Sequence, residues 1–271
     1  MKKWFLLLFM LAGLSGCKTV HVTGRKQFNF IPNSQIFPAS FTQYRQFLNE
    51  HPVSDNKAQQ ERIRRIGKRL VKAVEIYYHS KGWDDDLKGY QWEFNLVKDS
   101  TKNAFCMPGG KVVYFEGLLD VTQTDGEIAA VMGHEIAHAL ANHGAERMSQ
   151  MYAQNLGAIL TMLATANAPR EEQEKWLAIY GYGSSLGIIL PYSRKHESEA
   201  DKIGQILMAL AGYDPMSAMR VWVKMARMGG QQPPEFLSTH PSHERRMANL
   251  KKWAPEARRI AESFGINPTK K

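Results

Sequence analysis

The run Gly133-His134-Glu135-Ile136-Ala137-His138 places two imidazoles four residues apart with a carboxylate between them. On an α-helix, positions i and i+4 share a face, so His134 and His138 can point at one ion while Glu135 stands about 100° around the helix beside it. This is the spacing of a catalytic zinc site. Zinc held by three protein groups keeps a fourth position for water, polarises a carbonyl and lowers the water's pKa to about 7. A neighbouring carboxylate then takes the proton and hands it to a departing amine, the role expected of Glu135. Val131, Met132, Ile136 and Ala137 mark the helix as one to be buried. Buried imidazoles and a buried carboxylate need a compensating partner, and a single Zn2+ per chain is the simplest one.

The third ligand follows by elimination. A metzincin would carry glycine and histidine where this chain has Ala141 and Gly144. No acid occurs between Arg147 and Arg170, so a glutamate a few turns downstream is excluded too. Glu197-Ser198-Glu199-Ala200-Asp201 is the next candidate, and Glu197 and Asp201 share a helix face that Glu199 does not. Glu197 is therefore the expected ligand. Asp201 is expected to accept the second N–H of a ligand imidazole and so fix its tautomer.

Several elements must position these groups. Thr124 and Glu127 have capping-box spacing and predict a helix from near Asp125 to about Asn142. Ile63, Ile66, Leu70, Val71, Val74 and Ile76 predict an amphipathic helix from Lys57 to about Ser80. Alternation at Trp92, Phe94 and Leu96 reads as a half-buried strand. Asn103-Ala104-Phe105 and Lys111 to Phe115 read as two more, joined through Pro108-Gly109-Gly110 in a small antiparallel sheet. Ser149 to Ala166 is low in charge and predicts a buried helix. A helix opening at Pro191 and closed by Gly212 follows, then one from Asp214-Pro215 to Gly229-Gly230, then two short ones after Pro241 and Pro255. Residues 17–56 show no period and read as a tether or arm, so the expected division is 1–16, 17–56 and a single domain over 57–271.

Residues 1–16 resemble a secretory signal: Lys2 and Lys3, an apolar run from Trp4 to Leu14, then Ser15 and Gly16. Leu14-Ser15-Gly16-Cys17 resembles a bacterial lipobox, which predicts lipid attachment at Cys17, a membrane anchor and a location in the bacterial envelope facing the periplasm. Cys106 is the other cysteine, so no disulfide framework is expected. The formal net charge is +9, of which Lys2 and Lys3 contribute two. No nucleic-acid-binding pattern accompanies it, and nucleic acid is excluded as a partner.

Taken together, His134-Glu135-Ile136-Ala137-His138, Glu197 to Gly204, Asn103-Ala104-Phe105 and Thr239-His240-Pro241 resemble metallopeptidase family forty-eight, over about Lys57 to Leu250. The resemblance implies a mainly helical α+β zincin fold of the gluzincin type with a small sheet, and cleavage of misfolded or membrane-associated proteins in envelope quality control. It also implies that Asn103, Ala104 and Phe105 form an edge strand that pairs with an extended substrate. In BepA-like members a histidine matching His240 approaches the zinc; here that role, or contact with the transition state, is expected of His240 and Arg246.

Overall fold

A computed structural model describes residues 17–184, 190–228, 240 and 244–268. The signal-like segment 1–16 lies outside the described residues, as do Thr239, Pro241 and Gly229-Gly230. The chain divides into two compact units, each assembled from two separate stretches.

The first unit takes the stretches up to Pro32 and from Asn142 to Glu197. Strands β1 (Cys17–Val20) and β2 (Arg25–Phe28) pair antiparallel, with Cys17 opposite Phe28, across a turn that Gly24 closes at φ 72°. Helices α4 (His143–Ala164) and α5 (Arg170–Ser184) form a helical hairpin. Tyr180 donates its hydroxyl to the Gln154 carbonyl at 3.1 Å. The buried helix expected from Ser149 to Ala166 is present as a helix but is not buried. Met151, Tyr152, Leu156, Ile159, Leu160 and Leu163 are all exposed. Low charge alone cannot say whether an apolar stripe meets protein or something else.

The second unit is built on a buried helix. Its stretches hold α1 (Asn33–Glu50), α2 (Lys57–Ser80), β3 (Glu93–Val97), β4 (Ala104–Met107), β5 (Lys111–Phe115) and α3 (Asp125–Leu140). After the start of α6 (Leu190–Leu210) come α7 (Met216–Met228) and α8 (Glu244–Ser263). Ile63, Ile66, Leu70 and Val74 put the apolar face of α2 into the core, where Val112 and Val113 of β5 and Ile128, Met132 and Ile136 of α3 are fully buried. Residues 33–50 of the expected tether are a helix, whose buried face is Ile36, Phe37, Ser40 and Tyr44. Pro38 and the polar Ser40 interrupt its periodicity in the sequence, which hid it.

The three-stranded sheet runs β3-β5-β4 and is mixed, correcting the antiparallel expectation: β4 pairs with β5 antiparallel but β3 with β5 parallel. The β4–β5 turn is as expected, with Gly109 and Gly110 at φ 85° and 93°. The β3–β4 connection instead passes the end of β5, where a Cβ on Gly117 would overlap the Ser100 carbonyl. Alternation within a strand carries no information on a neighbour's direction. A second correction concerns Pro255, which lies inside a single 20-residue helix rather than starting a new one. Leu250, Ala254, Ala257 and Ala261 bury one face of α8, and that packing carries the helix through the proline.

Candidate metal centre

Helix α3 begins at a complete capping box, with Thr124 Oγ1 accepting from the Glu127 N–H and Glu127 accepting from the Thr124 N–H. Lys224 and the arginines Arg62 and Arg65 pair with the acids of its first turn, at distances from 2.5 to 2.8 Å. A helix fixed at its start has its register fixed two turns on, where His134 and Glu135 are buried and His138 is partly so.

Helix α6 crosses α3 closely, with a glycine from each helix at the crossing. A Cβ on Gly133 would lie 3.2 Å from the Gly204 carbonyl oxygen, and one on Gly204 would lie 3.0 Å from the His134 nitrogen. One turn before Gly204, Asp201 Oδ1 stands 3.0 Å from His134 Nδ1. A carboxylate only accepts, so Nδ1 carries the proton and Nε2 of His134 presents a lone pair. Arg246 grips the same carboxylate at 2.6 and 2.7 Å and donates to the His240 carbonyl at 3.3 Å. Burial by itself would raise the Asp201 carboxyl; the Arg246 guanidinium and His134 outweigh it and hold it below the usual range. Arg246 in turn lies 3.8 Å over the Trp222 ring, whose edge meets His134.

His134, His138, Glu197 and His240 each offer a ligand atom within 4.8 Å of the others. Glu197 lies in the first unit, at the residue where the division cuts the unbroken helix α6. His134 Nε2 is 3.0 Å from His138 Nε2 and 3.3 Å from His240 Nδ1. Nitrogens bound to tetrahedral zinc at 2.0–2.1 Å stand about 3.4 Å apart, so these spacings fit that ion. Glu135 is outside the ligand group, with Oε1 3.6 Å from His240 Nε2. Glu199 is outside it as well.

Ala104 and Phe105 lie in β4, the outermost strand beside β5, and Asn103 just precedes it, accepting from the Phe115 N–H at 3.1 Å. On the same strand, burial and the Glu135 carboxylate push the Cys106 thiol well above its ordinary range, so it is no ready nucleophile. Reasoning from sequence missed Trp222. It also missed a chain of buried contacts in the first unit: Arg25 grips Glu146 at 2.9 and 2.7 Å, Glu146 meets His196 Nε2 at 2.8 Å, and His196 stacks on His143 at 4.2 Å. His196 is the residue before Glu197, and that adjacency was the available signal.

The sequence model of peptidase family M48 matches residues 57–254. The chain belongs to this family. Members of the family use zinc, and the four-residue group above can bind a metal. It is 39% identical to the mitochondrial metalloendopeptidase OMA1 of Schizosaccharomyces pombe over 174 residues, 64% of this chain and 48% of that protein. With the OMA1 of Saccharomyces cerevisiae it shares 37% over 203 residues, 71% of this chain and 56% of that one. With the beta-barrel assembly-enhancing protease of Yersinia pestis it shares 31% over 187 residues, 66% of this chain and 36% of that one. The chain thus spans about half the length of the first two relatives. Their names place those proteins in mitochondria, which overturns the expected location in a bacterial envelope facing the periplasm. A short N-terminal pattern reports an export signal's composition, and composition alone does not fix a compartment.

Proposed function

We propose that this member of family M48 is a zinc endopeptidase that cleaves misfolded or membrane-associated proteins, with His134, His138 and Glu197 as ligands and Glu135 as general base. The observation that carries the reading is the convergence of those three side chains on one point, with the Glu135 carboxylate beside it. When bound, zinc supplies a polarised carbonyl and a water acidic enough to attack at neutral pH. Glu135 takes that water's proton and delivers it to the departing amine nitrogen. Asp201 holds the His134 tautomer, and Arg246 holds Asp201. β4 is the proposed edge against which an extended substrate pairs through its backbone. Attachment to a membrane at Cys17 completes the proposal, whatever the compartment.

His240 adds a resting state to this reading. A fourth protein ligand closes a catalytic zinc site, and His240 Nδ1 stands in the ligand group with its backbone carbonyl held by Arg246.

The deciding test is Glu135→Gln, which removes a proton acceptor and no ligand. One zinc per chain is expected to remain while casein cleavage falls by roughly 10² to 10⁴. Undiminished cleavage by a zinc-loaded variant rejects the assignment of Glu135. A wild-type protein that holds zinc and cuts nothing rejects the enzyme in favour of a zinc-bound scaffold.

A further inference from the structure

We propose that the exposed face of the α4–α5 hairpin rests in the interfacial layer of a lipid bilayer. From Met148 to Pro169 the chain has no Asp, Glu, Lys or Arg, and Arg147 and Arg170 bracket the run. Within it Tyr152, Leu156, Ile159 and Leu163 recur at helical spacing as a single stripe, and that stripe faces solvent. Leu156 is 44% exposed and Leu163 67%, and Trp176 on α5 adds an indole at 48%. A folded chain does not leave so continuous an apolar stripe in water without a use for it.

Three observations choose lipid as the occupant. No described helix is long and apolar enough to cross a membrane, so the hairpin's place is on a bilayer rather than through it. The combination is that of an interfacial element whose apolar contact, not its charge, would carry binding: an uncharged apolar stripe and aromatic rings with a polar edge at Tyr152 and Trp176, while Arg170 at its far end is paired with Glu174 beside Glu171 and Glu172. The hairpin also adjoins the proposed point of attachment. Cys17 pairs with Phe28 across the β1–β2 ladder, the Phe28 ring meets Phe30 at 5.5 Å, and Phe30 meets Tyr152 of α4 at 6.4 Å. This last argument rests on the reading of Cys17 given above, so the test separates the two. Both elements belong to the first unit, as does Glu197.

The full chain carrying Cys17→Ser is mixed with vesicles of phosphatidylcholine and phosphatidylglycerol, part of the former brominated in its acyl chains. Tryptophan emission is expected to be quenched, and Trp176→Phe in the same background is expected to remove much of that quenching. Leu156→Glu with Leu163→Glu is expected to weaken vesicle binding by about tenfold or more, with zinc content unchanged as the check on folding. Quenching that Trp176→Phe leaves untouched overturns the proposal, even if acylated wild type is bound through Cys17. So does an oligomer of the parent that the double variant dissociates with no loss of vesicle binding, since a second copy would then be the occupant. If the double variant does not fold, the Trp176→Phe comparison decides.

Discussion

At the scale of single residues, the centre is organised by who holds whom. Asp201 accepts from His134, Arg246 holds Asp201, and the same guanidinium holds the backbone of His240. Arg246 therefore links the tautomer of His134, a proposed ligand, to the position of His240, which is proposed to close the site. On that proposal, removal of the His240 side chain separates closing from catalysis, because the three proposed ligand groups remain without it. His240→Ala is expected to keep one zinc per chain and raise basal cleavage. The gain is about tenfold if an open arrangement held by roughly a tenth of the molecules becomes the only one. Zinc analysis beside a peptide-cleavage assay reads both. Cleavage that falls at constant zinc would instead assign His240 to the transition state.

At the scale of elements, the site depends on how close two helices come. Gly133 and Gly204 let α3 and α6 touch backbone to backbone, which brings Asp201 to His134. A methyl at residue 204 meets the backbone of His134, which cannot swing aside as a side-chain end does. Gly204→Ala is expected to cost about 1–3 kcal/mol of stability through overpacking and to weaken zinc binding by displacing His134. Chemical unfolding with and without chelator measures the two effects separately, and a variant equal to wild type in both would show that the crossing has slack.

At the scale of the whole molecule, buried carboxylates tie distant segments of each unit. Burial alone would raise the Glu146 carboxyl, but His196 and Arg25 outweigh it and hold it below the ordinary glutamate range. Glu127 and Asp125 behave alike: burial opposes their ionisation, and Lys224 with the capping amides, or Arg62 and Arg65, prevail. A carboxyl depressed in the folded state stabilises it above the unfolded value, and the contribution disappears as pH falls through the folded value. The chain is therefore expected to lose stability on acidification below about pH 4. Glu146→Gln is expected to be less stable than wild type by about 3–5 kcal/mol at neutral pH, since it leaves Arg25 and His196 facing no charge. Unfolding with chelator present, so that the metal ligands do not enter, should show that gap shrinking as pH falls below about 4. A gap constant with pH would mean that Glu146 contributes shape rather than charge.

What the sequence determined by itself was local. The bounds of α2, the capping box of α3, the Pro108-Gly109-Gly110 turn and the helix faces of His134, His138, Glu197 and Asp201 are set within a turn or two of chain. Periodicity and capping record such spacings directly. Only the tertiary structure decided the parallel β3–β5 pair, the helix across residues 33–50, the single helix through Pro255 and the solvent-facing stripe of α4. It alone brought Arg25 to Glu146 across 121 residues of chain and Arg246 to Asp201 across 45. The physical reason is that an apolar stripe or a buried charge states a requirement for a partner without naming it. The partner is named when the chain folds back and a particular surface or opposite charge arrives there.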